Sequence, residues 1–168
     1  MRALACEPSV IVLDEPTSAL DVSVQAQVLR TLKDLQSQVG TSFLFISHDV
    51  AVVRYICSRV MVMYLGVVVE EGPSEQVLAM PCHPYTKALL AAAPRMAPLA
   101  DPGLSLHGEL VLGDVRPEEC PVRARCPLAH ERCHQAPPMT ELPGGQRSAC
   151  WLAADLAAEY SQPTLDLS

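Results

Sequence analysis

The chain contains little lysine and no long apolar run, and both absences exclude classes of protein. Among its 168 residues only Lys33 and Lys87 are lysines, and the formal net charge is −7. Nucleic-acid-binding proteins usually carry a basic face, so this balance argues against nucleic acid as a partner. No stretch approaches the roughly 18 to 20 consecutive apolar residues of a membrane-spanning helix, and residues 1–6 do not resemble a signal peptide. We therefore expect a cytosolic chain.

Composition divides the chain near residue 80. Hydrophobic residues make up 49% of the sequence, which is enough for a packed core. Twelve of the fifteen prolines lie beyond residue 80, and so do four closely spaced cysteines. We expect an α/β domain over residues 1–80, a proline-rich and cysteine-rich extension over 81–155, and a disordered tail over 156–168.

The first region alternates predicted strands and helices. Val10–Leu13 and Ser42–Ser47 are apolar runs typical of strands that are buried on both faces of a sheet. Between them, apolar residues recur every three or four positions from Ser23 to Val39, and Gly40 follows as a stop signal, which predicts a helix. A strand, a helix and a second strand in this order predict a right-handed parallel crossover.

Shorter elements are predicted further along the chain. A helix is expected around residues 51–57, and Gly66 predicts a hairpin between two Val-rich and Met-rich runs. Two short helices are expected at Ser74–Ala79 and Tyr85–Ala93. The glycine pair within Leu142–Arg147 indicates a turn.

Two carboxylates, Asp14 and Glu15, end the first predicted strand. Open parallel sheets bind ligands beyond the carboxyl ends of their strands, so the pair stands where a site belongs. An aspartate there can hold Mg²⁺, as in phosphate-transferring folds, and a second acid can orient or deprotonate the attacking water. Taken alone, such a pair is more often a solvated strand end that has no catalytic role.

The whole stretch of residues 10–21, VIVLDEPTSALD, resembles the Walker B segment and the following D-loop of ABC ATPases. The match is long and specific. It implies that Asp14 coordinates the Mg²⁺ of MgATP and that Glu15 is the general base. It also implies that Ser18 and Asp21 lie at the contact with a partner ATPase domain.

His48 follows the second predicted strand, within Ser47-His48-Asp49. A lone histidine at a strand end often has only a structural role. Because His48 comes one crossover after the strand that resembles Walker B, it is similar to the switch histidine of ABC ATPases. The resemblance implies that His48 contacts the γ-phosphate and is catalytic together with Glu15.

A narrower resemblance begins at Cys82. The segment of residues 82–90, CHPYTKALL, resembles the His-Pro-Tyr-Thr segment of the ATP-binding subunits of oligopeptide and dipeptide ABC importers, including nickel-peptide relatives. Val69-Glu70-Glu71-Gly72 precedes it in the expected order, and the resemblance extends from Met1 to about Leu152. It implies an energy-coupling subunit at the cytoplasmic face of the inner membrane. Its partners would be permease subunits, a second ATPase subunit in a homodimer or heterodimer and, indirectly, a peptide-binding protein.

A complete site of this family also needs a Gly-x4-Gly-Lys-[Ser/Thr] loop, whose amides and lysine hold the phosphates. Neither Lys33 nor Lys87 lies in such a loop, and Met1–Leu4 resembles the end of the helix that follows the family's signature sequence. We therefore expect the C-terminal part of an ABC ATPase, with a partial P-loop NTPase sheet, that is inactive alone. Two other hypotheses stay open, a metal-binding or regulatory cysteine-rich module and a non-functional gene fragment.

Four cysteines, Cys120, Cys126, Cys133 and Cys150, lie among prolines and turn residues of the extension. Four thiolates on irregular backbone can hold Zn²⁺ or an iron–sulfur cluster. Their spacings are wider than the tight Cys-x2–4-Cys pair that is usual at zinc sites. The resemblance to peptide importers implies a [4Fe-4S] cluster, with Zn²⁺ and four reduced, metal-free cysteines as the alternatives.

Overall fold

The computed structural model describes residues 7–93, 104–108 and 116–160. Contacts divide the chain into two compact units, Met1–Cys57 and Ser58–Ser168. Met1–Leu4, in which the sequence resembles the end of a helix, lies outside the described residues. In the parts of the chain that are described, no helix is both long and apolar enough to cross a membrane.

The first unit is a strand-helix-strand-helix arrangement. Strands β1 and β2 pair in parallel, with Val10 opposite Ser42 and Asp14 opposite Ile46. The parallel pairing of the predicted crossover is thereby confirmed, and so is the predicted α/β fold class. The elements are β1 (Val10–Asp14), α1 (Val22–Val39), β2 (Ser42–Ile46) and α2 (Val50–Ile56).

Local hydrogen bonds fix where the helices of this unit begin and end. The Asp21 carboxylate accepts from the backbone amides of Ser23 and Val24 and so caps the start of α1. Gly40 ends α1 in the left-handed conformation, with φ 69°, as the sequence predicted. Asp49 caps α2 in the same way as Asp21 caps α1.

The two strands of this unit are not buried on both faces, so that prediction is wrong. Along each strand, exposed residues alternate with half-buried ones. Val10 and Val12 are 55% and 59% exposed, and Leu44 and Ile46 are 43% and 46% exposed. One face of the two-stranded sheet is therefore open and apolar.

The second unit contains a four-stranded sheet in the order β3-β4-β6-β5, in which every pair is antiparallel. Its strands are β3 (Arg59–Tyr64), β4 (Val67–Pro73), β5 (Thr140–Leu142) and β6 (Gln146–Ser148), and its helices are α3 (Ser74–Ala79), α4 (Pro84–Ala92) and α5 (Ala153–Glu159). The hairpin predicted at Gly66 joins β3 to β4, and the turn predicted at Leu142–Arg147 joins β5 to β6 through Gly144 and Gly145, both with positive φ.

The boundary between units differs from the composition change near residue 80. The β3–β4 hairpin belongs with the extension because β4 pairs with β6, more than 70 residues further on. Helix α5 also continues to Glu159, into the stretch that composition assigned to a tail. Residues 161–168 of that tail lie outside the described residues.

The core of the second unit joins the hairpin to the extension. It is formed by buried side chains on β3, β4 and α3 together with Val122 of the extension: Val62, Tyr64, Val69, Val77 and Val122. The Tyr64 ring also meets the edge of Tyr85 in α4, with 4.8 Å between ring centroids. This packing holds the segment before α4 and the cysteine-rich segment against one sheet.

Glu70 is a fully buried carboxylate beside this core. Its Oε1 accepts from the Cys82 amide at 2.6 Å and from the Gln146 side-chain amide at 2.7 Å. Burial raises its pKa, although the hydrogen bonds that it accepts oppose that effect. Glu70 Oε2 and Thr86 Oγ1 nevertheless lack a partner at hydrogen-bond geometry. A proton on Oε2 would supply the missing donor.

We expect the unfolding free energy of the second unit to depend on pH through Glu70. A raised native pKa means that the folded chain keeps a proton that the unfolded chain releases. The stabilisation from this proton is complete at pH values below the ordinary pKa of a glutamate. It is lost as the pH rises through the raised pKa of Glu70. Glu70→Gln should remove this pH dependence while keeping an acceptor for the Cys82 amide.

The matched variant Glu70→Ala should cost about 2 to 5 kcal/mol, because it leaves two buried donors without an acceptor. Urea denaturation followed by Trp151 fluorescence between pH 4 and 8 measures both variants. Identical pH profiles for wild type and Glu70→Gln would show that folding does not raise the pKa of Glu70.

Candidate functional site

The carboxyl ends of β1 and β2 bring Glu15 and His48 together. Glu15 directly follows β1, and its backbone amide donates to the Ile46 carbonyl at 3.0 Å, which continues the parallel pairing. Its φ of 46° is rare for a residue other than glycine. This conformation leaves Glu15 Oε1 2.8 Å from His48 Nδ1, with Glu15 37% exposed and His48 80% exposed.

The Glu15 carboxylate changes the acid–base behaviour of His48. The hydrogen bond and the negative charge of Glu15 raise the pKa of His48, and the charge of Asp49 adds a smaller effect in the same direction. The protonated form of the His48 imidazole is therefore favoured beside the Glu15 carboxylate. Such a pair can hold or transfer a proton at a ligand that approaches the strand ends.

The other predicted residues of this end lie nearby in sequence. Asp14 is the exposed last residue of β1. The Ser18 hydroxyl donates to the Glu15 carbonyl at 3.0 Å and so closes the turn after β1. Asp21 caps α1, and its hydrogen bonds with Ser23 and Val24 lower its pKa. The structure thus gives Ser18 and Asp21 local roles, and their predicted contact with a partner domain stays a prediction.

Gln25 is a polar residue of this region that the sequence did not single out. Its side-chain amide lies 3.4 Å from Asp49 Oδ2 and 3.5 Å from Thr17 Oγ1. These long contacts connect α1 to the segment that carries His48 and to the turn after Glu15. Nothing in the spacing of α1 marks Gln25, because it lies among other polar residues near the start of the helix.

The four cysteines of the extension line one pocket in the second unit. The same pocket is lined by His83, Pro84, Val122, Leu128, His130, Trp151 and Leu152. The Leu152 amide donates to Cys150 Sγ at 3.4 Å, and Cys133 Sγ lies 3.4 Å from His130 Nδ1. The sequence predicted the four cysteines as one set, and in the structure all four line this pocket.

Burial governs the chemistry of these thiols. It raises the pKa of Cys120 and Cys126, and it raises that of Cys150 to about 12. The three neighbouring cysteines reinforce the shift at Cys150, since their thiolates would repel a fourth one. All four are free thiols. In residues 7–93, 104–108 and 116–160, no three His, Cys, Asp or Glu side chains lie close enough to hold a single metal ion.

A parallel strand–helix–strand unit with polar side chains at the carboxyl ends of its strands is typical of the α/β class of proteins. Residues 69–133 match the family described as the oligopeptide/dipeptide transporter C-terminal region. A probable peptide ABC transporter ATP-binding protein of Sinorhizobium fredii is 48% identical over 165 residues, which cover 97% of this chain and 47% of that protein. Over most of its length the chain is similar to the ATP-binding proteins of peptide ABC transporters, and the resemblance found in the sequence is confirmed.

Other relatives agree with this family. The di/tripeptide transport ATP-binding protein of Pseudomonas aeruginosa is 47% identical over 89% of this chain and 46% of its own length. The dipeptide transport ATP-binding protein of Haemophilus influenzae is 50% identical over 83% of this chain and 43% of its own length. The chain thus spans about half the length of the curated relatives that it matches.

A solved structure shows a partial likeness. It is cbiO1 from Clostridium perfringens, described as part of the ABC transporter complex cbiONQ. The superposition covers 45% of this chain and 30% of that chain, with 34% sequence identity and a TM-score of 0.43.

We expect Glu15→Gln to lower the pKa of His48 to its ordinary value of about 6.5, because the substitution removes both the charge and the strongest acceptor. Titration of the His48 ring signals by NMR measures this pKa. Asp14→Asn is the matched control, since Asp14 does not contribute to the shift at His48. An unchanged His48 titration in Glu15→Gln would contradict the pairing of the two side chains.

Proposed function

We propose that this chain contributes the catalytic strand ends of an ATP-binding subunit that drives peptide import. The pairing of Glu15 with His48 at 2.8 Å carries the proposal, because it joins the two predicted catalytic residues at the carboxyl edge of the sheet. The chain's relationship to peptide transporter ATP-binding proteins supports the same function. The reaction would be ATP hydrolysis coupled to uptake of oligopeptides or dipeptides.

Each residue of the strand ends would have one task. Asp14 would hold Mg²⁺, which neutralises phosphate charge when MgATP is bound. Glu15 would accept a proton from the attacking water, and a carboxylate that already bonds an imidazole is oriented for that transfer. His48 would release Glu15 and donate to the γ-phosphate, which the raised pKa of the imidazole favours. Ser18 and Asp21 would face a second ATPase domain.

The remaining half of the site would come from outside these 168 residues. The chain has no Gly-x4-Gly-Lys-[Ser/Thr] loop, and its relatives are about twice as long. The open face with Val10, Val12, Leu44 and Ile46 exposes apolar side chains that a larger sheet domain would cover. We propose that a phosphate-binding portion packs near this sheet. A second ATPase subunit and permease subunits at the inner membrane would complete the assembly.

Complementation tests this function. The chain alone should neither bind ATP tightly nor hydrolyse it. Co-expression with the N-terminal portion of the Sinorhizobium fredii relative should restore ATP hydrolysis and raise solubility. Glu15→Gln should then lower the rate by about 100-fold or more, as expected for the loss of a general base.

The control variant is Glu75→Gln, an exposed acid at the start of α3, which should leave the restored rate unchanged. No hydrolysis in the complemented protein would contradict the proposal and favour a non-functional fragment. If the chain alone hydrolyses ATP and this activity depends on Glu15, the proposal that its site is incomplete would be contradicted.

A second candidate function, a metal-binding module, is favoured by the pocket that the four cysteines share. A single Zn²⁺ requires four sulfurs about 2.3 Å from one point. An iron–sulfur cluster is larger, and each cysteine binds a different iron, so it suits more widely spaced thiolates. Cys120, Cys126, Cys133 and Cys150 are thus the donor set that we propose for a [4Fe-4S] cluster, which would supply structural or redox chemistry.

The surroundings of Cys150 also suit such a group. The amide of Leu152 donates to its sulfur, and a hydrogen bond of this kind stabilises a thiolate. Without a cation, burial keeps this thiol protonated, so binding of a metal or cluster would release protons.

Anaerobic purification tests the cysteine site. We expect iron and acid-labile sulfide in the protein, with a broad absorbance near ~400 nm. Cys126→Ser should abolish the absorbance, whereas Cys57→Ser, in the other unit, should keep it. Stoichiometric zinc without iron would assign the site to Zn²⁺, and a protein free of both metals would contradict the metal-binding module.

A further inference from the structure

His83 is a buried histidine that lines the cysteine pocket without belonging to the predicted donor set. Its side chain is 1% exposed, and it immediately precedes α4. His83 Nδ1 accepts a hydrogen bond from the Tyr85 amide at 3.0 Å, so the ring caps the start of the helix. A ring nitrogen that accepts cannot carry a proton, and the single proton of the neutral ring therefore lies on Nε2.

The partner of this Nε2–H follows from the backbone of the neighbouring strand. The ring makes a hydrogen bond with the backbone of Ala149. The Ala149 amide already donates to the Val69 carbonyl at 2.8 Å. The Ala149 carbonyl is therefore the group that accepts from His83. Burial lowers the pKa of His83 to about 4, which agrees with a neutral ring at neutral pH.

Ala149 directly precedes Cys150. Before Cys150 in the chain, the Ala149 backbone is held by Val69 of β4 and by the His83 ring. After Cys150, the Leu152 amide donates to the Cys150 sulfur. His83 itself is fixed because the Cys82 amide donates to Glu70 and the Ser148 hydroxyl donates to the Cys82 carbonyl at 3.2 Å. A chain of buried hydrogen bonds thus leads from Glu70 to Cys150.

We propose that His83 is a positioning residue for Cys150. Its ring holds the Ala149 carbonyl and thereby fixes the direction in which the Cys150 thiol enters the pocket. The functional value of this role rests on the proposed metal-binding or cluster-binding function of the four cysteines. His83 and Pro84 of the His-Pro-Tyr segment line the cysteine pocket.

The competing explanation is that His83 only caps α4. Two substitutions separate the two roles. Asparagine places an oxygen near the position of Nδ1 and is a favoured helix cap, but its side chain is too short to reach Ala149. Glutamine places an amide donor near the position of Nε2 and caps poorly. His83→Asn should therefore lose the hydrogen bond to Ala149, and His83→Gln should keep it.

Thiol reactivity in the metal-free full-length chain tests the proposal directly. A short pulse of iodoacetamide, followed by mass spectrometry, gives the alkylation rate of each cysteine. We expect His83→Asn to raise the ratio of the Cys150 rate to the Cys126 rate by about fivefold, as expected for the loss of one buried hydrogen bond. His83→Gln should stay within about twofold of the wild type, on the same hydrogen-bond scale. Cys126 is the internal reference because it lines the same pocket from a different segment.

Two results would overturn the proposal. One is a Cys150-to-Cys126 rate ratio in His83→Asn that equals the ratio of the wild type. The other is an equal rise at Cys126 and Cys150, which would show general loosening of the unit. Iron and sulfide reconstitution adds a second readout, in which His83→Asn should retain less cluster than His83→Gln. If the wild type takes up no metal, the proposed cluster fails, whereas the Cys150 ratio still decides the role of His83.

Discussion

The second unit depends on one buried carboxylate. Glu70 projects from β4 and accepts from the Cys82 amide and from Gln146 of β6, so two segments that are far apart in sequence are held on one strand. Gln146 also donates to the Met80 carbonyl at 3.1 Å, which closes the network. Burying a carboxyl group is unfavourable unless its hydrogen-bonding capacity is used. The network is therefore specific, since displacing either β6 or the segment before α4 would remove one of the two hydrogen bonds that Glu70 Oε1 accepts.

The strand ends of the first unit are organised by short-range interactions instead. The Asp21 and Asp49 caps, the turn closed by Ser18 and the left-handed Glu15 are each set within a few residues of chain. Only the parallel pairing of β1 with β2 brings Glu15 and His48 together. This pairing leaves an apolar face open, so the side chains that we propose as catalytic lie on a sheet that is covered incompletely. The proposed function follows from that combination.

The elements that the sequence predicted correctly are those with local signals. The β-branched run of β1, the helical spacing of α1 and the stop at Gly40 depend on neighbours within a few residues, as does the turn at Gly144 and Gly145. The pairing of β4 with β6 has no such signal. It depends on Gly72, where a Cβ atom would lie only 2.9 Å from the Gln146 Cα, and on the buried partners of Glu70. From the sequence, His83 could be assigned to a family segment. Its position at the cysteine pocket depends on long-range packing, so the sequence did not predict it.

Amide hydrogen exchange tests most directly whether the Glu70 network organises the second unit. The amide of Cys82 donates to the Glu70 side chain. The amide of Ala149, the residue after β6, donates to the Val69 carbonyl. If the Glu70 network holds these segments in place, both amides should exchange as slowly as those of the β3–β4 ladder. Their exchange would then require unfolding of the whole unit. Exchange of the Cys82 amide as fast as that of Gly144 in the exposed turn would contradict the account, because Glu70 would then not hold the segment that carries His83.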